Sequence, residues 1–91
     1  MFANVRNGKL EDFVTVEGSV AQPGDFGFIE GMTIGQAIDL AGGLVGKHIN
    51  NEINLSRIQI DGFYEVIRMN LSNEKTLDFK LSQLDNIFIK S

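Results

Sequence analysis

Cysteine and tryptophan are both missing from this 91-residue sequence, and proline and histidine occur once each. Without cysteine there can be no disulfide, no thiolate zinc site and no cysteine nucleophile. Basic residues are few: eight Lys and Arg, scattered from Arg6 to Lys90, stand against twelve Asp and Glu for a net charge of −4. No basic stripe is available to displace counterions from a phosphate backbone, which argues against nucleic acid and against an anionic membrane surface. No apolar run approaches the roughly 20 residues of a membrane-spanning helix. The opening Met1-Phe2-Ala3-Asn4-Val5-Arg6 lacks the charged-then-apolar order of a signal peptide. These absences leave either a cytoplasmic protein or a piece of a longer exported chain.

What is present suffices for one folded core. Hydrophobic residues make up 43% of the chain and charged residues 22%, the balance of a folded domain. A domain of this length buries roughly 60–65% of its unfolded surface, so a binding site belongs on the surface or at an edge. Met1–Asp12 is polar and aperiodic and reads as a lead-in or linker, leaving 13–91 as the domain, expected to be cut from a longer chain.

From Phe13 the pattern alternates. Val14, Val16 and Val20 fall on one face and Thr15, Glu17 and Ser19 on the other, the signature of a half-buried strand. Gln22-Pro23-Gly24-Asp25 predicts a type II turn, and Asp25–Ile29 a second strand closing a hairpin. Thr33 and Gln36 have the spacing of a capping box, with Met32 and Ala37 as its hydrophobic staple. Ile34, Ala37, Ile38 and Ala41 recur at helical spacing until Gly42-Gly43 ends the run, and Leu44 can fold back on the last turn. The result is a helix of about nine residues over Thr33–Ala41. Val45–Glu52 reads as a polar loop. Ile53–Asp61 and Phe63–Leu71 read as strands around Asp61-Gly62, a strong hairpin signal. Ile53 and Leu55 share one face but Ile58 and Ile60 share the other, which predicts a bulge or a twist near Arg57. Leu77, Phe79 and Leu81 alternate, Leu84-Asp85-Asn86 turns, and Asn86–Lys90 is the closing strand. The order predicts an α+β domain of the β-grasp type, a mixed sheet of about five strands with one helix on one face. A small open barrel capped by the helix is the alternative.

Catalytic groupings are not apparent. His48 stands alone in a loop, where a solvated surface role is expected. Side chains of the adjacent Glu11 and Asp12 point apart on an extended segment, which unsuits them to paired acid–base work. The serines lack a Gly-x-Ser-x-Gly setting, and Gly42-Gly43 follows a helix instead of preceding one as a phosphate loop would. No metal-ligand set and no cofactor motif is visible, so the expectation is a non-enzyme without cofactors. Arg57 interrupts an apolar strand. Its planar fork suits a sugar hydroxyl, a carboxylate or a neighbouring subunit; alternatively it guards an edge strand against unwanted pairing.

The segments Val14-x-Val16-x-Gly18-x-Val20-x-x-Pro23-Gly24-x-Phe26, Gly31-Met32-Thr33-Ile34 and Leu40-Ala41-Gly42-Gly43-Leu44 together resemble the SLBB domain, the soluble-ligand-binding β-grasp. The likeness is nearest to the copies in outer-membrane polysaccharide export proteins. Ile53-x-Leu55-x-Arg57 and the close around Leu84, Asp85, Ile87 and Ile89 extend it. This resemblance implies an exported parent at the periplasmic face of the outer membrane, assembling with neighbouring domains or subunits and contacting polysaccharide. Gln22, Pro23, Gly24 and Arg57 are then the candidate ligand or interface residues, and Gly18, Thr33, Gln36, Gly42, Gly43 and Asp85 the structural motif. A second branch of the same superfamily implies a binder of one small ligand, of the cobalamin or respiratory-subunit kind. A sulfur-carrier role would need a C-terminal Gly-Gly, whereas this sequence ends Ile89-Lys90-Ser91.

Overall fold

The computed structural model describes residues 12–46 and 52–90. The lead-in apart from Asp12, together with His48, lies outside them. Five strands, β1 (Phe13–Gly18), β2 (Gly24–Gly27), β3 (Glu52–Ile58), β4 (Tyr64–Asn70) and β5 (Asn86–Ile89), form one mixed sheet in the order β2-β1-β5-β3-β4. β1 and β5 run parallel at its centre, and the remaining pairs are antiparallel. One helix, α1 (Ile34–Leu40), and a 3₁₀ turn at Thr76–Asp78 complete the set among the described residues. This is the expected β-grasp arrangement, and a sheet with two free edges is not a barrel.

The core follows from strand alternation. Val14, Val16, Ile53, Leu55, Ile87 and Ile89 point to one side of the sheet and are buried. Ile34, Ala37 and Ile38 of α1 cover them, joined by Val20, Met32, Ala41 and Leu81. A seven-residue helix is too short to hold itself in water, so this packing and its caps hold it. At the start, the Thr33 hydroxyl accepts from the Gln36 N–H at 3.3 Å, and the Gln36 amide oxygen accepts from the Thr33 N–H at 3.1 Å. At the end, Gly43 N–H donates to Ile38 and Gly42 N–H to Asp39, the paired bonds of a Schellman motif, with Gly42 at φ +86°. Thr33→Ala removes one half of the capping box and should cost about 1 kcal/mol, seen as a fall in Tm of roughly 4–8 °C for a domain this size.

Several local expectations change. Gly24 has φ +157° and opens β2 opposite Val16, so Pro23-Gly24 leads into the strand and is not the centre of a type II turn. β2 ends at Gly27, short of Ile29, and β1 ends at Gly18, beyond which Val20 makes a single bridge to Leu44. No bulge interrupts β3: its register with β4 is continuous from Glu52 opposite Asn70 to Ile58 opposite Tyr64. Ile58 and Ile60 fall out of phase because they are exposed, Ile58 on the face away from the core and Ile60 in the hairpin loop. That loop is Ile60-Asp61-Gly62, with Gly62 at φ +90° and its N–H bonded to the Gln59 carbonyl, a three-residue turn closed by glycine. The alternation of Leu77, Phe79 and Leu81 does not make a strand. The Asn73 side chain accepts from the Lys75 N–H and its carbonyl from the Thr76 N–H, bonds that wind the chain locally. Leu77 is left exposed and Leu81 reaches the core.

Candidate functional site

Two features stand out: an internal clamp centred on Arg57, and an open sheet face behind it. Arg57 follows Ile53 and Leu55 on the core side of β3, which is an interior strand, so the edge-guarding role does not arise. Its Nε and Nη2 donate to the two oxygens of Asp85 at 3.1 and 2.9 Å. Asp85 is fully buried and also accepts from the Ser82 N–H at 2.7 Å. Arg57 Nη2 reaches the Lys80 carbonyl at 3.2 Å, and the guanidinium lies 5.5 Å over the Phe79 ring. The Arg57 side chain is a quarter exposed, Asp85 not at all. The hydrogen bond from Asp85 outweighs the opposing effect of burial and holds the Arg57 pKa above its ordinary value. A raised cation pKa stabilises the fold below the unfolded pKa and loses that contribution only as pH rises through the folded one, far on the alkaline side. One clamp thus ties β3, the 3₁₀ region and the start of β5 together.

Among the described residues, no helix covers the opposite face of the sheet. On it, Phe13 and Thr15 of β1, Asn86 of β5, Ser56 and Ile58 of β3, and Tyr64 of β4 line an open depression of about 560 Å³ with Leu84. Two aromatic rings and two aliphatic side chains supply apolar surface, and Thr15, Ser56 and Asn86 supply hydroxyl and amide groups. Leu84 is the one described non-glycine residue with positive φ, +68°, held there by its N–H bonding to the Phe13 carbonyl at 2.8 Å. Val66 and Phe88 extend the exposed apolar surface beyond the depression. On the same face Asn54 lies between Phe88 and Arg68 in register, and its buried Oδ1 has no hydrogen-bond partner among the described residues. Such a surface can accept a flat, hydroxyl-bearing ligand or another protein face. It offers no paired nucleophile and base, and no group of three or more His, Asp or Glu able to hold a metal ion occurs among the described residues.

The structure does not bring the sequence candidates together. Gln22, Pro23 and Gly24 lie past the Gly18 end of β1, where Gln22 N–H donates to the Ala41 carbonyl and so anchors the loop to the end of α1. The depression is at the other end of β1, and Arg57 is on the other side of the sheet. Gly18, Thr33, Gln36, Gly42, Gly43 and Asp85 occupy closures, caps and the clamp. Sequence reasoning missed Phe13, Thr15, Ser56, Tyr64 and Asn86. The available signal was the out-of-phase Ile58 beside Tyr64 and Val66: apolar residues on the second face of a strand pair.

Comparison with known proteins gives one family. The model described as the SLBB domain matches residues 13–67, from the first residue of β1 into β4. No curated protein matches the chain.

Proposed function

Because the chain belongs to the SLBB domain family, we propose that it is a non-catalytic interaction module of a polysaccharide export channel. It works within a longer exported protein at the periplasmic face of the outer membrane, meeting neighbouring domains or subunits and contacting carbohydrate. The observation that carries this reading is the sheet face that no helix covers among the described residues, where Phe13 and Tyr64 flank Thr15, Ser56 and Asn86 around an open depression. Aromatic faces give a sugar ring apolar contact at low entropic cost, and the hydroxyl and amide groups between them fix its orientation by hydrogen bonds. An open trough suits a chain that must slide past, since no enclosure holds it. No helix among the described residues is long and apolar enough to cross a membrane, in keeping with a domain appended to a channel.

Titration of the ¹⁵N-labelled chain with oligosaccharide fragments of a capsular polysaccharide tests the reading. Shifts should concentrate at Phe13, Thr15, Ser56, Tyr64 and Asn86, and Tyr64→Ala should weaken binding about tenfold, a loss of about 1.4 kcal/mol. Shifts confined to the α1 side, or none at saturating sugar, would rule out this face as the carbohydrate contact. A thermal shift with a single small cofactor-like ligand and none with sugars would favour the small-ligand branch of the family.

A further inference from the structure

The hydrogen-bond phase of β4 can be read from its ends. Gln59 N–H donates to the Phe63 carbonyl at 2.7 Å, and the register from that pair to Glu52–Asn70 is unbroken. In an antiparallel ladder alternate residues bond the neighbour. Glu65, Ile67 and Met69 therefore direct their backbone groups at β3, in phase with the Phe63 carbonyl at Gln59. On the far side, Lys90 N–H bonds the Glu52 carbonyl, so the even residues of β3 serve β5, in agreement with this phase. The even residues of β4, Tyr64, Val66 and Arg68, are left with N–H and C=O groups aimed out of the sheet. β4 is an edge strand of seven residues with no proline and no bulge, and its two charged residues, Glu65 and Arg68, are of opposite sign. The side chains along it are open as well: Tyr64 is 64% exposed, Val66 57% and Phe63, just before the strand, 73%.

We propose that this edge pairs antiparallel with the same edge of a second copy of the chain, with Val66 on the two-fold axis. Three observations select the partner and the register. First, Asn70 cannot take part fully, because its carbonyl already accepts from Asn73 N–H and the Thr76 hydroxyl. Centring on Val66 uses the outward groups of Tyr64, Val66 and Arg68 on both copies, six bonds in all, without Asn70. Second, that register sets each Tyr64 opposite the Arg68 of the other copy on one face. The Arg68 side chain makes no ion pair among the described residues, and a guanidinium over a tyrosine ring is favourable. Centring two residues further on would oppose Arg68 to Arg68. Third, the same register sets Phe63 against Met69 on the other face, an aromatic–sulfur pair, while Glu65 is drawn back by the Gln59 amide at 3.0 Å. The product is a ten-stranded sheet across a closed two-fold. A single strand pair is a small interface, so association is concentration-dependent. This inference does not depend on the export role.

Sedimentation velocity of the full chain over a concentration series tests it. The mass should rise from one chain to two and stop there, since an isologous pair closes. Val66→Pro removes an outward N–H without touching a bond to β3 and should abolish the dimer. Tyr64→Lys sets lysine against Arg68 twice and should weaken it about tenfold, with Tyr64→Lys/Arg68→Glu recovering most of the loss. The two charge variants lie on exposed positions and keep the test valid should the proline variant not fold. A chain monomeric at every soluble concentration, assembly beyond two copies, or a dimer indifferent to both single variants would overturn the proposal. A dimer weakened by Tyr64→Lys but not recovered in the double variant would overturn the register.

Discussion

Gly18→Ala should be among the most damaging single-methyl changes available in this domain. Gly18 ends β1 at φ +93°, and a Cβ built there would lie 2.2 Å from the carbonyl oxygen and 2.9 Å from the nitrogen of Ile89. Both atoms are backbone, so no side chain can swing aside. The Ile89 oxygen is also the acceptor for Ser19 N–H at 3.0 Å. Relief of the overlap means separating β1 from β5 at the centre of the sheet, where Val16 and Ile89 are buried. The left-handed backbone adds about 1–2 kcal/mol for any L-residue. A total loss of about 3–4 kcal/mol is expected, against a whole stability of roughly 5–14 kcal/mol for 91 residues. Thermal unfolding should show Tm lowered by some 15–25 °C. Gly31→Ala is the control: φ is +90° there too, but nothing lies within 4 Å of the added carbon. It should lose only the backbone contribution. Equal losses in the two variants would show that the close approach at Ile89 costs nothing.

The second large effect is expected at the clamp. Asp85→Ala leaves the Arg57 side chain, only a quarter exposed, without its carboxylate, and strips Ser82 N–H of its acceptor. Breaking a buried pair from one side costs about 3–5 kcal/mol, mostly the penalty of the stranded partner. Asp85→Asn keeps the shape and one acceptor oxygen and should lose less. The informative variant is Arg57→Met/Asp85→Leu, which removes both charges together. By the same reasoning it should be more stable than Asp85→Ala despite carrying twice the change. Urea unfolding of the four proteins gives the comparison directly. A double variant no better than the single one would mean that the pair is itself a net source of stability.

What could be read from the sequence was local. The capping box at Thr33 and Gln36, and the glycine stop at Gly42-Gly43, depend on residues within a few positions of each other. Spacing alone therefore locates them, and the span Thr33–Ala41 holds a seven-residue helix with its two caps. The mixed sheet with one helix on one face followed from the hairpin–helix–strands sequence, which few packed arrangements satisfy. The site was harder. Arg57 and Asp85 are 28 residues apart, and nothing near either one names its partner. Ile58 was read as a shift of phase because apolar alternation ordinarily marks a single buried face. When both faces of a strand pair carry apolar side chains, the pattern gives period two without saying which face the helix covers. Gly18 looked like any strand glycine; the close approach that demands it comes from a strand 71 positions later.

The parallel neighbours at the middle of the sheet have a mechanical consequence. The polypeptide comes in beside Phe13 and goes out past Ile89, and because β1 and β5 point the same way these two points lie at opposite ends of adjacent strands. A pull applied through the flanking chain would load the hydrogen bonds between them side by side, all sharing the force, instead of peeling them open one after another. Joined to chain at both points, the module would resist stretching along its own axis while its open sheet face stays available for contact.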